Sequence, residues 1–155
     1  MDRGVRLGVD VGSVRIGVAA SDPDGIMAFP VETVVAGEGD AARVALIASE
    51  REAIRIFVGL PRTLSGADGT SAGMATEFAR RLAELTSADV RLIDERFSTT
   101  TASRALSGAG KSARSQRQII DQAAAVVILE SALEVDRRGN LGTVTRRIPH
   151  EGNDD

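Results

Sequence analysis

Two β-branched, glycine-spaced runs, Val5–Val11 and Arg15–Ala20, are separated by only three residues, Gly12-Ser13-Val14. A link that short joins antiparallel neighbours, because a parallel crossover needs a dozen residues or more. The chain is therefore committed to a hairpin at its start. A third strand, Met27–Val35, follows the turn residues Asp22-Pro23-Asp24-Gly25 and extends the hairpin to a meander.

Beyond the meander the pattern alternates. Val44, Leu46, Ile47 and Ala48 mark a helix over Asp40–Arg51, and Ile54–Leu60 (IRIFVGL) reads as a short buried strand stopped by Pro61. Met74, Phe78, Leu82 and Leu85 share one face of a helix over Ala72–Thr86, Val90–Asp94 is a fifth strand, and Arg117–Arg137 is a long last helix. A short helix is expected from Ser98 or Thr99 to Leu106, with loops at Arg62–Gly73 and Ser107–Gln116. Strands joined through helices run parallel, so the expected architecture is an α/β domain over residues 1–138: a five-stranded mixed sheet flanked by helices. The polar stretch 139–155 is expected to be a disordered tail.

Composition narrows the function. A chain of 155 residues suits one domain. The absence of cysteine removes disulfides, thiolate zinc sites and cysteine nucleophiles together. The N-terminus shows no basic-then-apolar leader, and no apolar run approaches the roughly 18 residues of a membrane span, so a cytoplasmic protein is expected. A formal net charge of −3 does not draw the whole molecule to nucleic acid, yet Arg96–Arg117 holds five basic residues and no acidic one. With four Phe and no Trp or Tyr, base stacking is not the expected binding mode, and any nucleic acid would be held by its phosphates.

Three carboxylates stand out. Asp10 lies inside an otherwise apolar strand between Gly8 and Gly12. A carboxylate buried there needs a partner, a proton or a metal, and the glycines leave room for close approach; the plainer alternative is a cap for the turn that follows. Glu95 follows the fifth strand, where ligands of open α/β sheets gather, although it could simply pair with Arg96. Strand alternation puts Asp94 and Glu95 on opposite sides, so only one of them should face a common site. Asp121 opens a mostly apolar helical run, where it could serve the helix dipole alone, but the small residues Ala123–Ala125 let this helix lie close to a sheet. Together the three are hard oxygen ligands with the single His far away at position 150, a set that suits Mg2+ or Mn2+ and not zinc. Two such ions about 3.5–4 Å apart can activate water and stabilise the leaving oxygen of a phosphodiester. No GxxxxGK[ST] phosphate loop is present, since Gly108-Ala109-Gly110-Lys111-Ser112 lacks the spacing.

The segments LGVDVGSVRIGVAASD, IFVGLPRTLSGADG, LIDERFSTTTA and IIDQAAAVVILESAL, in that order and spacing, resemble the YqgF family, bacterial RuvX-type proteins described as Holliday-junction-resolvase-like or pre-16S rRNA nucleases. The opening motif alone is shared with sugar kinases and actin-like ATPases; the combination, over about Arg6–Leu133, is specific. The resemblance implies a ribonuclease-H-like fold, metal-dependent phosphodiester hydrolysis, and a role in maturing the 5′ end of 16S rRNA, with Asp10, Glu95 and Asp121 as the acidic set. Arg15, Lys111, Arg114 and Arg117 are the expected phosphate contacts. Two departures stand out. The fourth strand ends Val58-Gly59-Leu60-Pro61 without the acid of RuvC-type resolvases, which makes Asp68 an alternative donor to Glu95. The approach to the last helix, SARSQRQII, is less basic than in lysine-rich relatives. Branched DNA is the alternative substrate, and a non-catalytic nucleic-acid-binding assembly factor the alternative role. The expected assembly is a monomer or homodimer.

Overall fold

The computed structural model describes residues 2–61, 70–94 and 113–150, and of 70–71 and 113–120 the main chain only. Its elements are β1 (Val5–Val11), β2 (Arg15–Ser21), β3 (Ala28–Val35), α1 (Asp40–Glu50), β4 (Ala53–Leu60), α2 (Thr70–Leu85), β5 (Asp89–Asp94), α3 (Ala113–Arg137), a single helical turn α4 (Leu141–Val144) and β6 (Thr145–Arg147). The strands form one sheet of order β3-β2-β1-β4-β5-β6. The hairpin forms as the three-residue link requires, with Asp10 opposite Gly17 and Val11 opposite Ile16. β3 continues the meander antiparallel to β2, whereas β4 and β5 run parallel to β1.

Alternation along the strands divides the interior into two layers. Leu7, Val9, Ile16, Val18, Ile56, Val58, Val90 and Leu92 pack under α1 and α2. The intervening residues face α3, where Ala19, Phe57 and Ile93 meet Ala125, Ile128, Leu129, Ala132 and Leu133. The helix α3 comes close to the sheet where Gly8 presents no side chain. A Cβ at Gly8 would come within 2.7 Å of both the Ala125 carbonyl oxygen and the Leu129 Cβ. On α1 and α2 the helical faces are rotated slightly from the expected ones: Leu46 and Leu85 are exposed, while Ala45 and Ala79 are buried.

The sheet has six strands where five were expected. The sixth comes from the stretch read as tail: β6 pairs antiparallel with β5, Ile148 donates its N–H to the Val90 carbonyl, and its side chain is buried in the α1/α2 layer. β6 has too few residues to show a period-2 pattern, so only its pairing across the fold defines it. The last helix starts at Ala113 and not Arg117, taking four residues from the expected loop Ser107–Gln116. No Gly or Pro interrupts Ala113–Gln116, and cations at a helix N-terminus, though disfavoured by the dipole, do not stop a helix anchored by its apolar later turns. The short helix expected near Ser98–Leu106 lies outside the described residues.

At the amino ends of the parallel strands, on the α3 side, sits an ionic cluster. Arg6, wholly buried, donates through Nη2 to Asp136 at 3.2 Å, and Arg55 Nη1 donates to the same oxygen at 3.2 Å. Arg55 and Arg91 both reach Asp89 Oδ2, at 3.0 and 2.7 Å. Charges so buried are tolerated only when paired. Here the pairing pins the end of α3 to β1 and β4, and β4 to β5. Burial, the largest influence, lowers the proton affinity of Arg6, against the opposing pull of Asp136.

Candidate active site

Asp10 is the next-to-last residue of β1. Alternation sends it to the α3 side with Arg6 and Gly8, at the carboxyl end of the strand, where α3 passes over the hairpin. Directly across the ladder from Asp10 is Gly17. A side chain there would run into the Asp121 carbonyl, so the missing Cβ is what lets α3 descend onto the sheet at this point. The rotation of α3 is fixed from one side by Gln122, whose Nε2 donates to Thr33 Oγ1 at 2.8 Å. Asp121 is thereby brought to the Asp10 end of the hairpin.

Burial and, after it, the charge of Asp121 push the Asp10 carboxyl up to about 6. Arg15, the first residue of β2 and on the same face as Gly17, donates from Nε to Asp121 Oδ2 at 2.7 Å. The sequence reading gave Arg15 to phosphate and did not foresee this partner. The available signal was its spacing two residues before Gly17, which puts both on the face that α3 covers. Asp94 falls on the other side: Leu92 belongs to the α1/α2 layer and Ile93 to the α3 layer, so alternation assigns Asp94 to the α1/α2 face, away from Asp10. That leaves Glu95 as the candidate of the pair.

Of the expected set, the structure thus brings Asp10, Asp121 and Arg15 together. Arg114 and Arg117 lie in the first turns of α3, where the main chain alone is described. Glu95, its alternative Asp68, and Lys111 lie outside the described residues. Among the described residues no three acidic, His or Cys side chains form a group able to hold a metal, and the two carboxylates at this site are Asp10 and Asp121. A cavity of about 720 Å³ opens on the opposite side of the β1–β2 turn, lined by Val11, Ser13, Glu38, Met74, Phe78 and Arg81. Neither Asp10 nor Asp121 borders it, so it is not part of the carboxylate site.

Comparison with known proteins adds to this geometry. The family model of RuvX, described as Holliday junction resolvase, matches residues 4–135. The chain belongs to the RuvX family. Its RuvX relatives include a protein of Rhodococcus opacus (strain B4), 53% identical over 150 residues that make up 92% of this chain and 84% of the relative. Another, from Thermobifida fusca (strain YX), is 50% identical over 149 residues, 91% of this chain and 94% of that one. Both carry the name "Putative pre-16S rRNA nuclease". Among solved structures, Thermus thermophilus RuvC in complex with a Holliday junction substrate superposes with a TM-score of 0.57 at 16% identity, covering 94% of this chain and 99% of that one. At that identity the likeness concerns the fold. The ribonuclease-H-like α/β architecture expected from the sequence is accordingly that of this RuvX chain, with one strand more than anticipated. No described helix is long and apolar enough to cross a membrane.

Proposed function

We propose that this chain is a metal-dependent nuclease that hydrolyses phosphodiester bonds at the Asp10–Asp121 site and acts in the cytoplasm on the 5′ end of pre-16S rRNA. The observation that carries this reading is the convergence of Asp10 and Asp121, 111 positions apart, at one end of a RuvX fold with the Arg15 cation bound to Asp121. The site fits Mg2+ or Mn2+: its donors are carboxylate oxygens, cysteine is absent from the chain, and Asp10 carries more proton affinity than an isolated carboxyl because it is buried and lies near the charge of Asp121. Asp10 and Asp121 would hold the ion with Glu95, or with Asp68 in its place. A divalent cation bound there supplies the charge that activates a water and stabilises the departing oxygen. The chain's own part is to fix the acids on rigid elements and to position the phosphate with Arg15, Lys111, Arg114 and Arg117, contacts that orient a backbone without reading its sequence. Branched DNA is the second reading, favoured by the family description and by the RuvC-like fold.

The test is incubation of wild-type and Asp10→Asn protein with end-labelled precursor 16S RNA and with a four-way DNA junction, with and without Mn2+. Metal-dependent cleavage of the RNA by wild type, lost in the variant, is expected. Preferential cleavage of the junction would move the assignment to the second reading. An Asp10→Asn protein cleaving at the wild-type rate would remove Asp10 from the chemistry.

A further inference from the structure

Arg15 and Asp121 make the closest ion pair of the site, and the two partners differ in their freedom to move. Asp121 is held by α3, which is seated on Gly17 and keyed to Thr33 through Gln122. The main chain of Arg15 is held as well, since its carbonyl accepts from Gly12 at 2.9 Å and the neighbouring Val14 carbonyl accepts from Ala36 at 2.9 Å. The guanidinium is different. It stands at the rim of the site, with the Arg15 side chain 28% exposed, and holds Asp121 through Nε at the end of a long, flexible stem. It is permanently charged, so no proton exchange can remove it from the carboxylate. Only another cation can replace it, or another anion draw it off.

Resting on the metal-nuclease reading above, we propose that Arg15 is a charge-exchange residue: it neutralises Asp121 in the metal-free protein, yields that carboxylate to the divalent cation, and turns to the nucleic-acid phosphate. The physical reason is competition followed by repulsion. Guanidinium and metal ion seek the same carboxylate, and two cations a few ångströms apart in a half-buried site repel each other. A phosphate arriving beside them offers the displaced guanidinium a bidentate partner. Each ligand then removes an obstacle to the other, so metal and phosphate bind cooperatively, and by linkage the coupling is equal in both directions. Arg15 here is a positioning residue: it sets when the carboxylates are available and where the phosphate lies.

The experiment titrates Mn2+ alone into wild type, Arg15→Gln and Arg15→Met, reading free Mn2+ by electron paramagnetic resonance, and repeats the titration with a cleavage-resistant phosphorothioate oligonucleotide present. A partly exposed ion pair opposes metal by about fivefold in affinity. Arg15→Gln is therefore expected to bind Mn2+ about fivefold more tightly than wild type without the oligonucleotide. The oligonucleotide should tighten Mn2+ binding to wild type and much less so to Arg15→Gln. Mn2+ binding by Arg15→Gln that is unchanged or weaker would overturn the proposal and make Arg15 a simple brace for Asp121. If circular dichroism shows that Arg15→Gln has not folded, Arg15→Met, which keeps an unbranched stem and removes the charge, decides: tighter Mn2+ binding than wild type supports the exchange, and unchanged or weaker binding overturns it. Absence of Mn2+ binding by the wild-type protein would instead bring down the nuclease reading, and this inference with it.

Discussion

Gly17 of the second strand lies directly beneath the main-chain carbonyl of Asp121, so close that a methyl group on Gly17 would overlap it. The obstacle is backbone, not the end of a side chain, and it cannot swing aside. Gly17→Ala must lift α3 or tilt β2, and overpacking of this kind costs roughly 3 kcal/mol. Urea denaturation should show that loss, with Mn2+ binding weakened in the fraction that folds. Gly73→Ala is the control. It adds a methyl in α2 with nothing among the described residues within 4 Å, and should gain a few tenths to about 1 kcal/mol from helix propensity.

Asp10 makes stability depend on pH in a direction opposite to most paired carboxylates. Its carboxyl is raised from 3.8 to about 6 by burial and by Asp121. Below the unfolded value both states are protonated and Asp10 is neutral to stability. As pH rises towards the folded value the unfolded chain loses its proton first, so the folded state becomes progressively less favoured, by on the order of 2–3 kcal/mol once both are ionised. In metal-free buffer, the melting temperature of Asp10→Asn minus that of wild type should grow between pH 4 and about 6 and level off above. A difference that stays flat across that range would mean that the charge of Asp10 is compensated in the apo protein. Asp89, lowered by Arg91 and Arg55 against its burial, contributes with the other sign, losing its stabilisation only as pH falls through its depressed value; it is common to both proteins and cancels in the difference.

The ionic cluster at the far end of the sheet separates scaffold from site. Asp136→Ala removes the carboxylate that accepts from both Arg6 and Arg55, leaving Arg6 buried beside another cation. Breaking a buried pair from one side costs about 3–5 kcal/mol. Asp136 is roughly 22 Å along α3 from Asp121 at 1.5 Å per residue, so Mn2+ affinity of the folded protein should not change. Chemical denaturation and Mn2+ titration of the same preparation check both halves.

Replacing Lys111, Arg114 and Arg117 together by Ala should weaken RNA binding and flatten its dependence on salt. Each lost phosphate contact lowers the log–log slope by about 0.7–0.9. Anisotropy titrations at several KCl concentrations give the slope directly. An unchanged slope would put the binding surface elsewhere.

The local features of the chain were readable without a fold. Three residues between Val11 and Arg15 permit only a hairpin, the two apolar periods separate strand from helix, and a carboxylate inside Leu-Gly-Val-Asp-Val-Gly announces itself because burying it requires compensation. Gly8 reads from the sequence as room for close approach, but what approaches it, and any role for Gly17, is set by a helix more than a hundred residues away. The same distance hid the partner of Arg15, which finds Asp121 106 positions later, and the Arg6–Asp136 pair, separated by 130. β6 is the clearest case of all: Thr145–Arg147 has no strand pattern of its own, and becomes a strand because the exposed edge of β5 offers it unpaired N–H and C=O groups and the α1/α2 layer has room for Ile148. Local periodicity reports which face of an element is apolar. Which charges share a site is decided only when the sheet order and the seat of α3 bring distant segments together.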